Sequence, residues 1–164
     1  MSKYIHQATV GAALEVALNL LPDDRSEVQE GHGHDPKTAL VDSIRHCDSV
    51  YFEVPNGKIA GLAGVHGNGQ IWMLCTPAIY DYPHTFAREA KRYVDERREK
   101  LLWNIVDERN EVHLKLLRFL GFKFIRRLNY GPNNLTFIEF ARVQSSSNWS
   151  RRRRNGISNG GFQS

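Results

Sequence analysis

The sequence predicts an α/β protein, a mixed and mostly antiparallel sheet with helices on both faces. Three observations carry that expectation. Three short apolar runs between residues 49 and 78 are separated by glycine-bearing turns, the pattern of an antiparallel meander. A long amphipathic stretch comes next, with its charges gathered on one side. Beyond it come an apolar strand, a capped helix and two further strand candidates, so helices and strands alternate in the second half of the chain.

Taken in order, Tyr4 to Thr9 reads as a short strand. Val10 to Leu20 reads as a helix, with Val10, Leu14, Ala17, Leu18 and Leu21 at helical spacing and Pro22-Asp23-Asp24 as its end. A polar stretch with room for one helical turn runs to Asp35, and Pro36 opens a second helix reaching about Cys47, since proline suits a first helical position. The meander strands are Ser49 to Val54, Lys58 to Val65 and Gln70 to Ala78, joined by Pro55-Asn56-Gly57 and by His66-Gly67-Asn68-Gly69. Pro77 marks the exposed end of the third.

The next helix spans about Thr85 to Leu102, with Phe86, Ala90, Tyr93, Val94, Arg97 and Leu101 in one stripe. The run KLLWNIVD, residues 100 to 107, suits a strand covered on both faces. Asn110 caps a helix from Glu111 to Leu120, which Gly121 ends in the left-handed conformation. A strand to about Leu128, a turn at Gly131-Pro132-Asn133-Asn134 and a strand from Leu135 to Val143 complete the order βααβββαβαββ.

Composition divides the chain in two. Residues 1–143 mix apolar and polar residues as one domain of ordinary globular make-up, while 144–164, QSSSNWSRRRRNGISNGGFQS, form a Ser/Arg/Gly-rich basic tail. Arg151, Arg152, Arg153 and Arg154 account for the whole formal charge of +4, leaving 18 basic against 18 acidic residues. A nucleic-acid-binding domain carries its basic surface on the fold itself, which this body lacks. No apolar run has the length of a membrane span, and two distant cysteines, Cys47 and Cys75, read as free thiols of an intracellular protein.

The helix from Asn110 carries a spacing that resembles a known family. Asn110 is followed by His113, by Leu116-Leu117 and by Gly121-Phe122, the layout with which the GNAT acetyltransferases close their cofactor half. The resemblance implies a GNAT-like fold for residues 1–143. More particularly, Leu102-Trp103-Asn104-Ile105-Val106, Asn110, His113, Phe119 to Phe122 and Phe137-Ile138 resemble a family of internal virion or morphogenesis proteins of T7-like podophages. That implies a virion or virion-assembly protein, located in the particle or in the host cytoplasm during assembly, with other phage structural or assembly proteins as partners.

Against the GNAT pattern, two pieces of chemistry are missing. A diphosphate is held where glycines let successive backbone N–H groups approach it at a helix N-terminus. Here that position is AIYDYPHTFAR, residues 78–88, with no glycine, an acid at Asp81 and Pro83 lacking an N–H. Arg88 and Lys91 remain as cations. The family's tyrosine acid falls at Leu117, so His113 is the substitute candidate, read more simply as a packed or solvated residue.

Glu53 and His66 on the meander strands are further base candidates, equally readable as outward-facing strand residues. The losses imply a degenerate, pseudo-enzymatic fold with no cofactor. Acetyl-CoA enters in the alternative of an N-acetyltransferase, with a pantetheine arm received between splayed strands around Leu74-Cys75-Thr76 and Trp103-Asn104-Ile105 and assisted by Asn110. His32, His34 and Asp35 suggest metal ligands but read as a polar loop, since a closed zinc site needs four convergent ligands. Asp107-Glu108-Arg109 reads as a solvated loop. The tail, through its four arginines and Trp149, is the expected partner-binding element, toward an acidic protein surface or toward DNA phosphates.

Overall fold

The computed structural model describes residues 2–144. Among them, seven strands and five α-helices run in the order β1 (Ile5–Gln7), α1 (Val10–Leu18), α2 (Pro22–Ser26), α3 (Pro36–His46), β2 (Asp48–Glu53), β3 (Ile59–Val65), β4 (Ile71–Cys75), α4 (Pro83–Asp95), β5 (Leu101–Asp107), α5 (Glu111–Phe119), β6 (Lys123–Tyr130) and β7 (Leu135–Val143). A π-helical turn, Glu27–Gly31, continues α2, and a 3₁₀ turn, Pro77–Tyr80, comes after β4. The expected α/β architecture is present.

Local chemistry sets most boundaries. Thr9 caps α1 by accepting from the Ala12 N–H, Asp35 caps α3 by accepting from Thr38, and Asn110 caps α5 by accepting from His113. Pro22, Pro36, Pro77 and Pro83 each open a helical piece, where a missing N–H costs nothing. Gly121, at φ 86°, ends α5 as expected.

The strands form two sheets rather than one central sheet. β1-β2-β3-β4 is an antiparallel meander, and β5-β7-β6 is a second antiparallel unit. They meet at a single parallel bridge between Gln70 and Trp103, beyond which β4 and β5 splay apart. The pinch is tight: the Trp103 N–H donates to the Gly69 carbonyl at 3.1 Å, and a side chain at Gly69 would collide with the Leu101 carbonyl oxygen.

Helices cover both faces. α1 and α3 bury Ala13, Val16, Ala17 and Leu40 against Leu62 and Leu74 of the meander. α4 and α5 bury Phe86, Ala90, Val94 and Leu117 against Ala63, Val65, Met73 and Phe140.

Several expectations are corrected. In α1 it is Ala12, Ala13, Val16 and Ala17 that are buried, while Val10, Leu14 and Leu18 are exposed, because small residues let the helix approach α3 and the sheet closely. Pro22 starts α2 rather than ending order, so the polar stretch to Asp35 is largely helical. α4 stops at Asp95, not near Leu102, because residues from Leu101 are drawn into pairing with β7. The third meander strand ends at Cys75, where Thr76 caps the 3₁₀ turn with its side chain. In β5, Leu102 and Val106 are buried while Trp103, Asn104 and Ile105 are half-buried, so that strand is not covered evenly on both faces.

Candidate functional site

The splay between β4 and β5 is where buried polar groups converge. From β4, the Cys75 N–H points into the gap; from β5, the Asp107 N–H does the same. Neither waits for a ligand. Asp24, on α2, accepts from the Cys75 N–H at 2.8 Å and from Asn110 Nδ2 at 2.7 Å. The Leu21 N–H donates to the Cys75 carbonyl at 2.9 Å. Glu27 accepts from the Asp107 N–H at 2.5 Å. The His113 ring nitrogen Nδ1 lies 3.6 Å from the Asp24 carboxyl. All of Asp24, Glu27, Asp107, Asn110 and His113 are buried.

Electrostatics are set by that burial. Loss of water pushes the Glu27 carboxyl up to about 7, against the opposing pull of His113 and of the Asp107 N–H. Burial also works against charge on His113, but the adjoining Asp24 carboxyl and the Glu27 carboxyl outweigh it and raise the imidazole above its ordinary value. Asp107 in turn holds Arg109 at 2.9 Å, and Arg109 reaches Glu30 at 2.9 Å.

A cavity of about 200 Å³ runs from this cluster along the α3 side of the split, past Ser43, His66, Trp72 and Asn104. On the other side a groove of about 250 Å³ lies between α4 and α5, bounded by Ile79, Pro83, Phe86, Leu116 and Phe119. His113 lines both.

Of the candidates drawn from the sequence, Asn110 and His113 belong to the cluster. Glu53 does not: it faces His6 at 3.6 Å across the β1–β2 edge. Leu74 is buried in the core beneath α1 and α3. The Thr76 N–H donates to the Ala60 carbonyl and its hydroxyl to the Ile59 carbonyl, so Thr76 is turned toward β3 and not toward the split.

Of the backbone groups expected to receive a pantetheine arm at residues 74–76, the Cys75 N–H faces the gap and has the Asp24 carboxyl as acceptor. Asp107 is buried and paired rather than solvated. His66 stands 3.3 Å from the Cys47 sulfur. His32 and His34 stack on each other at 6.1 Å, with His32 also against Tyr130, and Asp35 is occupied as the α3 cap. Among the described residues no group of three or more His, Cys, Asp or Glu is placed to hold a metal ion. No helix there is long and apolar enough to cross a membrane. Trp149 and Arg151 to Arg154 lie outside the described residues.

Sequence reasoning misses Asp24 and Glu27, and it names Asn104 only as part of a strand beside the expected arm. Asn104 accepts from the Ile105 N–H and donates to the Ile71 carbonyl at 2.7 Å, tying β5 to β4. Its signal is legible, a lone amide inside an apolar strand. Asp24 and Glu27 give none, since PDDRSEVQE reads as any solvated polar stretch.

The turn after β4 has few open amides ahead of α4, whose own first turn carries no side-chain cap. Pro77 and Pro83 have no N–H, and the N–H groups of Ala78, Ile79 and Asp81 are bonded within the turn to Thr76 and Ala78. Asp81 stands at its end, between Asn56 and Lys58. Arg88 and Lys91 are engaged with Glu89 and Asp95.

Comparison with known proteins identifies the fold. A spermidine N-acetyltransferase from Vibrio cholerae, solved with CoA and spermine, superposes with a TM-score of 0.64 over 88% of this chain and 96% of its own, at 11% identity. A GNAT-family acetyltransferase from Bacillus anthracis gives 0.61 over 85% and 93%, at 10% identity. A ribosomal-protein-alanine N-acetyltransferase from Brucella melitensis gives 0.60 over 85% and 98%, at 16% identity. The chain therefore has the GNAT-like fold expected from the Asn110 motif. No protein-family model matches it, and no curated protein does. None of these three neighbours is a bacteriophage particle protein, so the podophage likeness gains nothing from them.

Proposed function

We propose that this chain is a non-catalytic binding module on an acetyltransferase fold, serving bacteriophage particle assembly by presenting its loops and arginine tail to other virion or assembly proteins. One observation carries the non-catalytic part. The turn from Thr76 to Pro83 has no glycine, two prolines without N–H groups and three amides bonded within the turn, where a diphosphate needs bare backbone to approach. The phage context rests on the likeness of residues 102–138 to podophage proteins, and the partner role on the basic tail of an otherwise neutral chain.

Titration of the full chain with acetyl-CoA in a calorimeter is expected to give no heat of binding. Affinity purification from infected cells is expected to recover a virion or assembly protein, and recovery of none counts against the assembly role.

A second reading, acetyl-CoA-dependent N-acetyl transfer, is favoured by the neighbours themselves, which back it better than they back the first. Within the chain it is favoured by Glu27, whose carboxyl at about 7 is poised to exchange a proton near neutral pH beside His113. Release of free CoA thiol from acetyl-CoA in the presence of primary amines, lost in Glu27→Gln, would establish this reading and displace the first.

A further inference from the structure

We infer that residues 21–27 are a built-in ligand of the β4–β5 split, a strap that occupies the gap and joins the two half-sheets into one body. This deepens the non-catalytic reading and rests on it. Splayed strand edges present backbone groups that an extended amide-bearing arm can pair with. Here the strap makes those pairings itself. Leu21 donates to the Cys75 carbonyl and Asp24 accepts from the Cys75 N–H, so both polar groups of the last β4 residue are taken from one side.

On β5, the N–H groups that face the gap fall at alternate residues. Trp103 donates to the Gly69 carbonyl, Ile105 to the Asn104 side chain, and Asp107 to Glu27. Asn110 reaches from α5 to the same Asp24 carboxyl, closing the circuit between α2, β4 and α5.

Two physical facts favour the strap over an external arm. A carboxylate accepts an N–H bond roughly twice as strongly as a neutral carbonyl does. The strap is also tethered, so its effective concentration exceeds that of a free ligand. The π-helical turn that continues from the strap is fixed as well: Asn133 Nδ2 donates to the Glu30 carbonyl at 2.9 Å, and a side chain at Gly31 would meet the Phe137 ring at 2.6 Å.

Hydrogen exchange resolved to single amides tests this. In the unmodified full chain, Cys75 and Asp107 should exchange as slowly as the buried β3 amides, and acetyl-CoA should not change them. Asp24→Ala should speed exchange at Cys75 by about 100-fold, and Glu27→Ala should do so at Asp107, with β3 unaffected. Where Asp24→Ala does not fold, the unmodified chain and Glu27→Ala decide the matter.

Fast exchange at Cys75 and Asp107 in the unmodified chain overturns the inference, as does a rise in exchange across residues 21–31 on adding acetyl-CoA. Calorimetric heat with acetyl-CoA while protection holds would sink the non-catalytic reading and leave the strap standing. Lost protection without heat would do the reverse.

Discussion

Glu27 and His113 give the molecule its pH response. An acid whose folded-state value is raised favours folding while it keeps its proton, so its contribution is complete below the unfolded value of 4.5 and is lost as pH rises to about 7. His113 is also raised, from 6.5, and its contribution falls in the same direction as pH climbs through its folded value. Thermal unfolding should therefore show stability declining between about pH 5 and 7.5. Glu27 accounts for a loss on the order of 3 kcal/mol across that window, given its near-complete burial. Glu27→Gln keeps an oxygen for the Asp107 N–H and removes the titration, so its profile should be flatter. A profile as steep as that of the unmodified chain would show that the slope comes from elsewhere.

At the scale of elements, Asn110 is the residue on which most depends. It caps α5 through its side-chain oxygen and holds Asp24 through its amide nitrogen, so one side chain fixes both a helix start and the strap. Asn110→Ala removes both bonds and leaves Asp24 one donor short, and should cost about 2–4 kcal/mol. Asn110→Asp keeps the cap but sets a second acid against Asp24, and should recover little of the loss. Denaturant titration of the two variants checks this.

The Pro36 start, the Asn110 cap and the Gly121 stop are legible in the sequence because each is local chemistry that the residue itself carries. The buried face of α1 is not. Periodicity favours the large residues Val10, Leu14 and Leu18, yet close approach to α3 selects the alanines. The end of α4 escapes sequence reasoning for a related reason, since Leu101 fits both the helical stripe and the strand that β7 claims.

Across the whole molecule, the neutral body closes on itself at Gln144, whose side chain docks on the Val94 and Arg97 carbonyls at 2.7 and 3.3 Å. Cutting the chain after Gln144 should leave the melting temperature within about 3 °C, since both core clusters and every helix cap named above lie within residues 2–144. The same cut brings the formal charge from +4 to zero and should abolish retention on a polyanionic resin at low salt. A truncated chain that still binds the resin would place the basic surface on the body instead.

The residues along the chain were enough to give the order of the strands and of α1, α3, α4 and α5, the Asn110 cap, the glycine turns and the lack of a glycine-rich turn after β4. These are short-range properties, written in neighbouring residues. The place where the sheet divides, Gln70–Trp103, and the closing of the gap by Asp24 and Glu27 emerge from the folded chain. Their partners Cys75 and Asp107 lie 51 and 80 residues away along the chain, and no local pattern distinguishes an acid that will be buried between two strands from one that will face water.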